Sequence, residues 1–152
     1  MTEQSRVRFQ RANFVVSDLD RSLKLYCDVL GFEVAFTKDS EKTSYSYPVF
    51  EIDADDTIRF AVLSAPGQPR VMALTEVSSP LPEPGMPRRS AIVLDVANID
   101  AVVAAAEKAG CHVYEEGELL THDGRKGREV GIVDYDGNLI VIYRIPATES
   151  SQ

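Results

Sequence analysis

Basic residues are scarce in this sequence: 16 Lys and Arg stand against 24 Asp and Glu, for a formal net charge of −8. An acidic domain repels phosphate backbones and anionic lipid headgroups, so neither nucleic acid nor a membrane surface is an expected partner. Cysteine is nearly absent. Cys27 and Cys111 sit at no metal-like spacing and read as buried free thiols of a reducing compartment. Long apolar runs are missing too. The opening MTEQSRVRFQ has no signal-peptide core, and no stretch of about 18 apolar residues occurs, which points to the cytoplasm. There is no glycine-rich phosphate loop and no G-x-S-x-G nucleophile elbow. The only histidines are His112 and His122. His122, beside Asp123 and with Asp95, is conceivable as a metal pair, but a solvated loop histidine is the favoured reading.

What is present suffices for one domain. The chain has 152 residues, 44% of them hydrophobic. At this size about 70% of the unfolded surface can be buried without metal or disulfide staples. The stretch Arg11 to Phe36 organises the rest. Ala12, Phe14 and Val16 alternate with Arg11, Asn13 and Val15, as in a strand with one buried and one open face. Asp18 or Asp20 can cap a helix whose apolar face is Leu19, Leu23, Tyr26 and Leu30, and Gly31 ends it. A strand then starts at Glu33.

Residues 37–56 read as a surface loop with a short strand or helical turn, closed by the acidic turn Asp53-Ala54-Asp55-Asp56. That turn lacks the spaced oxygens and glycine of a calcium loop. Strands follow over Thr57–Ser64 and Arg70–Val77, broken at Ala65-Pro66-Gly67. Residues 78–89 hold four of the eight prolines and read as a stiff connector.

The unit then recurs. Val16-Ser17-Asp18-Leu19-Asp20 is matched by Val96-Ala97-Asn98-Ile99-Asp100, an offset of 96 − 16 = 80 residues. A strand over Ser90–Val96 leads to a helix capped by Asn98, with Ile99, Val103 and Ala106 on its apolar face and Gly110 after it. Strands over His112–Leu120, Arg128–Val133 and Leu139–Ile145 complete the copy, the last two joined by an Asp-Gly turn at Tyr135-Asp136-Gly137-Asn138. The fold class is therefore α+β: two βαβββ modules, 8–77 and 90–145, with a linker over 78–89. Their curved mixed sheets are expected to enclose an open trough.

On these residues, VSDLDRSLKLYCDVLGFEV in the first module and VANIDAVVAAAEKAG with the closing DYDGNLIVIYR in the second, the chain resembles the vicinal oxygen chelate superfamily. That superfamily includes glyoxalase I, extradiol dioxygenases and bleomycin-resistance proteins. The resemblance implies a divalent metal held by a His or Gln in the first strand, a Glu late in the first module, a His opening the second and a Glu in the last strand. Here those positions carry Arg11, Ala73, Ala91 and Val141. Alanine and valine offer no donor atom, and arginine adds a permanent positive charge.

No metal and no cofactor are therefore expected. The reading is a bleomycin-resistance-like protein that binds a small organic molecule in the trough between the modules. The alternative is a metal-independent lyase or isomerase using Arg11, Asn13 or Asp95. The ligand-binding candidates are Arg11, Asn13, Phe60, Ala73, Ala91, Asp95, Val141 and Tyr143, with Tyr45 and Tyr47 as further aromatic walls. Gly124-Arg125-Lys126-Gly127-Arg128 could grip an anion, though a solvated hairpin loop is favoured. A homodimer is expected, to cover sheet edges.

Overall fold

The computed structural model describes residues 6–146. Residues 1–5 and 147–152 lie outside the described residues. The chain is mixed α+β and packs as two compact units: one runs to Leu19 and resumes over Gly31–Pro80, and the other takes Asp20–Leu30 and the chain from Leu81 onward.

The first unit is a four-stranded sheet of β1 (Ala12–Val16), β2 (Glu33–Asp39), β3 (Ile58–Ala65) and β4 (Gln68–Val77), in the order β1-β4-β3-β2. β1 runs parallel to β4, and the other pairs are antiparallel. Alternation dictates the two faces, as read from the sequence. Phe14, Val16, Ala61, Leu63, Met72 and Leu74 are buried on one of them. The amide of Leu19, which opens α1 (Leu19–Leu23), donates to Glu76 Oε2 of β4 at 2.6 Å, and Arg59 meets the same oxygen at 3.4 Å. A charge-assisted bond to a helix's first amides replaces a partner those amides lack within the helix.

Between β2 and β3 the chain makes one helical turn, α2 (Ser46–Val49). The acidic turn beyond it has its own cation. The Lys42 ammonium donates to the carbonyls of Ala54 (3.0 Å) and Asp56 (2.5 Å), and the Tyr47 hydroxyl donates to the Asp56 carbonyl at 2.9 Å.

The second unit holds β5 (Ala91–Asp95), α3 (Ile99–Lys108), β6 (His112–Val113), β7 (Gly117–Leu120), β8 (Lys126–Val133) and β9 (Leu139–Arg144). The strand order is β5-β9-β8-β6, with β7 pairing farther along β8. This is the path of the first sheet again, with the second strand split. The single strand expected over His112–Leu120 breaks where Glu116 turns out to pair with Arg128 at 2.7 Å. Asn98 caps α3 as its sequence position implies, its Oδ1 accepting from the Ala101 amide at 3.0 Å. Gly31 and Gly110, at φ 91° and 88°, stop the two helical segments in a backbone conformation that a side chain disfavours.

One expectation fails in the first helical segment. After α1 the chain widens into a π-helix over Lys24–Val29, and the Leu30 amide bonds back five residues to the Leu25 carbonyl at 3.1 Å. A turn closed over five residues shifts the phase of everything after it. Ser22, Leu25 and Tyr26 are buried, while Leu23 and Leu30 are only half-buried. The α-helical spacing of Leu19, Leu23, Tyr26 and Leu30 therefore holds at Leu19 and Tyr26 and fails at Leu23 and Leu30, while Leu25 is the leucine it misses.

Tyr26 shows what the wide turn is for. Its hydroxyl donates to Asp134 Oδ2 at 2.9 Å. Asp134 is buried and accepts three further bonds, from the amides of Asp136 and Asn138 and from the Asn138 side chain, all at 2.8–2.9 Å. The Asp-Tyr-Asp-Gly-Asn stretch is thus a turn folded around one carboxylate, which Tyr26 locks from the π-helix. Burial first, then the neighbouring Asp134 charge, pushes the Tyr26 phenol far above the ordinary tyrosine range.

Candidate functional site

The register of the first sheet assembles a site on its open face. Asn13 opposes Ala73, Ala73 opposes Val62, and Val62 opposes Phe36, so four strands contribute one row. The next row is Val15, Thr75, Phe60 and Lys38. With strands spaced about 4.8 Å apart, each row is about 14 Å wide. The connection after β2 curls over this face and brings Ser40, Ser44, Ser46 and Phe50 to it, closing a cavity of about 410 Å³. Small-molecule sites usually fall between about 300 and 1,000 Å³.

Apolar walls come from Val62, Ala73 and three phenylalanines. Phe36 and Phe60 meet edge to face, with ring centroids 6.1 Å apart and planes at 78°. Polar groups converge at the β1 side. The buried Thr75 hydroxyl donates to Asn13 Oδ1 at 2.8 Å, which fixes the amide. Among the described residues, Asn13 Nδ2 is then a buried donor with no hydrogen-bond partner, and Arg11, which lines the same cavity, makes only a long 3.5 Å contact to the Arg70 carbonyl. The Arg70 guanidinium lies 5.9 Å from the centre of the Phe36 ring.

Four of the residues singled out from the sequence, Arg11, Asn13, Phe60 and Ala73, line this cavity together. The other four, Ala91, Asp95, Val141 and Tyr143, belong to the second unit. There they share the open face of its sheet, where Asp95 opposes Tyr143 and Tyr143 opposes Glu129. The tyrosines nominated as walls are not among the lining residues. Tyr47 is buried in its own turn with Lys42 over its ring at 5.2 Å, and Tyr45 is 78% exposed. Phe36 and Phe50 take that role.

Phe36 is hard to find by pattern. A bulge between Val34 and Phe36 places Val34 opposite the buried Leu63 but Phe36 opposite Val62 on the cavity side. Simple alternation would have put both on one face. The hydroxyls of Ser40, Ser44 and Ser46 carry no sequence signal at all, because their role depends on how the loop folds back.

The remaining candidates resolve into structure. In the basic run, Arg125 pairs with Asp123 at 3.1 Å, and Arg128 is forked between Asp100 and Glu116 at 2.6 and 2.7 Å. Arg128 holds the carboxyls of Asp100 and Glu116 below the usual range, and the Thr121 hydroxyl, then Arg125, does the same for Asp123. His122 is exposed in the same loop. Cys27 and Cys111 are free and half-buried rather than buried, and burial raises both thiols above their ordinary pKa. Among the described residues, no group of three or more His, Cys, Asp and Glu side chains is placed to hold a metal ion, and no helix is long and apolar enough to cross a membrane.

Against known proteins, a family model described as the Glyoxalase/Bleomycin resistance protein/Dioxygenase superfamily matches residues 8–142. No curated protein matches the sequence. Several solved structures share the fold. A glyoxalase family protein from Bacillus cereus aligns with a TM-score of 0.72 at 16% identity, covering 97% of this chain and 99% of its own. The trypanothione-dependent glyoxalase I of Leishmania major aligns at 0.61 and 22% identity, over 91% and 87% of the two chains. A genomically encoded fosfomycin resistance protein from Listeria monocytogenes aligns at 0.59 and 14% identity, over 95% and 97%. At such identities the likeness speaks for the fold alone.

Proposed function

The chain belongs to the glyoxalase/bleomycin resistance protein/dioxygenase superfamily, and from that premise we propose that it binds a small organic molecule on the open face of its first sheet, without a divalent metal. The observation that carries this reading is the cavity itself. Phenylalanine walls face it, and a buried amide donor and a guanidinium stand at one side. Mostly apolar walls with a few placed polar groups are the usual composition of a small-molecule site.

The metal does not enter because the residues do not fit one. At the positions where relatives would hold the ion stand Arg11, Ala73, Ala91 and Val141. Methyl and isopropyl groups have no electron pair to give, and a guanidinium stays protonated at any working pH. What this chain's own groups can do is bind and orient. The aromatic edges and faces hold a flat body, and Asn13, kept in place by Thr75, fixes its polar end. We also take the protein to be a cytoplasmic homodimer. The full-length exposure of the outer strand β2, including Val34 and Phe36, supports a partner there.

A thermal-shift screen of flat aromatic compounds tests the proposal. A ligand of the folded state raises the melting temperature with its concentration. Hits are expected whose increment disappears in Phe60→Ala, judged by the ligand-induced increment rather than by the variant's own stability. Hits whose increment is untouched by Phe60→Ala would place the binding somewhere else.

A further inference from the structure

The charge of the site runs against the charge of the protein. The chain carries −8 overall, yet among the described residues Arg11 is the only ionised side chain lining the first-sheet cavity, and no carboxylate lines it. Arg11 is exposed and, among the described residues, makes no ion pair, only its long contact to the Arg70 carbonyl. Arg59, Arg125 and Arg128, by contrast, each hold a carboxylate.

One uncharged polar group has the same bias. Asn13 presents a buried amide donor without a partner, and its oxygen is already taken by Thr75. Ser40, Ser44 and Ser46 add hydroxyls on the far wall. Outside the lining, Lys38 stands opposite Phe60 on the same face, and Arg70 covers the outer side of Phe36. Of the acids in the ladder, Glu76 and Asp39 stand opposite Arg59, one step beyond the row of Thr75 and Phe60, and Glu33 stands opposite Ser64 on the outer strand β2.

We infer that this site takes an anion: a flat, mostly apolar molecule bearing a carboxylate or a like acidic group, whose oxygens meet Arg11 and Asn13 while its body lies against Phe36 and Phe60. The inference rests on the small-molecule reading of the cavity and narrows it to one charge class. A cation would face an unpaired guanidinium in a site with no acid to offset it, whatever the long-range pull of the acidic surface. A carboxylate pairs the idle guanidinium of Arg11, and charge-assisted bonds of this kind are the strong ones.

Three ring-matched probes separate the possibilities: 2-naphthoate, its neutral amide 2-naphthamide, and the cation 2-naphthylmethylammonium. Each is titrated at neutral pH and constant ionic strength while the backbone amide resonances of Asn13, Val62 and Ala73 are followed. Naphthoate is expected to bind about tenfold or more tighter than naphthamide, the range of one charge-assisted bond, with the ammonium weakest. In Arg11→Met, an exposed change that leaves the fold intact, the preference for naphthoate should collapse to about twofold or less, and Arg11→Lys should keep part of it. Equal binding of naphthoate and naphthamide, or a preference that survives Arg11→Met, overturns the anion class. Shifts at Asn13, Val62 and Ala73 would then still support a small-molecule site. Failure of naphthoate to bind also overturns the anion class. Whether the cavity binds anything is then decided by the charge-blind thermal-shift screen.

Discussion

In the second unit the Tyr26 hydroxyl meets the buried Asp134 carboxylate. A buried carboxylate without donors would cost several kcal/mol. Asp134 has four, and one of them is the Tyr26 hydroxyl. Tyr26→Phe should therefore destabilise the protein by about 1.5–3 kcal/mol, the range for a hydrogen bond to a charged group. The pH dependence has a definite sign. The folded pKa of Tyr26 is raised above its unfolded value of about 10. Its contribution is full below pH 10 and is lost as pH rises beyond it, because only the unfolded chain then gives up the proton. Urea unfolding at pH 8 and pH 10.5 should show the gap between wild type and Tyr26→Phe narrowing at the higher pH. A gap that widens would contradict the assignment. The same scale sets what the sequence could reveal. Asn98 as a cap and Gly31 as a stop are legible, because both act on their own backbone. The Tyr26–Asp134 bond joins residues 108 apart in the chain, and nothing local announces it.

Elements show a similar division. Most strands were legible in place, and the Asp-Gly turn was too, because alternation and turn chemistry are short-range signals. The exceptions are the strand over His112–Leu120, which is two, and β2, which runs on to Asp39 where a loop was expected. Helix phase was not legible. At the widened turn over Lys24–Val29 Leu25 is 1% exposed, while Leu23, just before it, is partly open. Leu25→Ala should cost about 2–5 kcal/mol, as buried leucine truncations do, and Leu23→Ala distinctly less. Denaturant midpoints of the two variants check this. The opposite ranking would restore the regular α-helical face. The bulge in β2 hid Phe36 in the same way: one extra residue reverses the side of everything beyond it. Half of the candidate cavity was thus readable from strand alternation in β1, β3 and β4. The rest came from a bulge and a folded-back loop, which no periodicity encodes.

At the scale of the whole molecule, duplication explains the most. Both sheets follow the same strand path, first-fourth-third-second, and the offset of 80 residues between Val16 and Val96 already implied it. The two copies have diverged in what their open faces carry. The first presents Arg11, Asn13 and Lys38 around phenylalanines, while the second presents Asp95 and Glu129 on either side of Tyr143. Neither family membership nor fold chooses a ligand, since one scaffold serves many chemistries. The choice rests with the side chains of the cavity. The most direct test is a crystal structure of the protein soaked with the best aromatic hit of the thermal-shift screen. Density for the ring against Phe36 and Phe60, with its polar end toward Arg11 and Asn13, is the predicted result. Density for the compound elsewhere on the protein, with only water in that cavity, would contradict it.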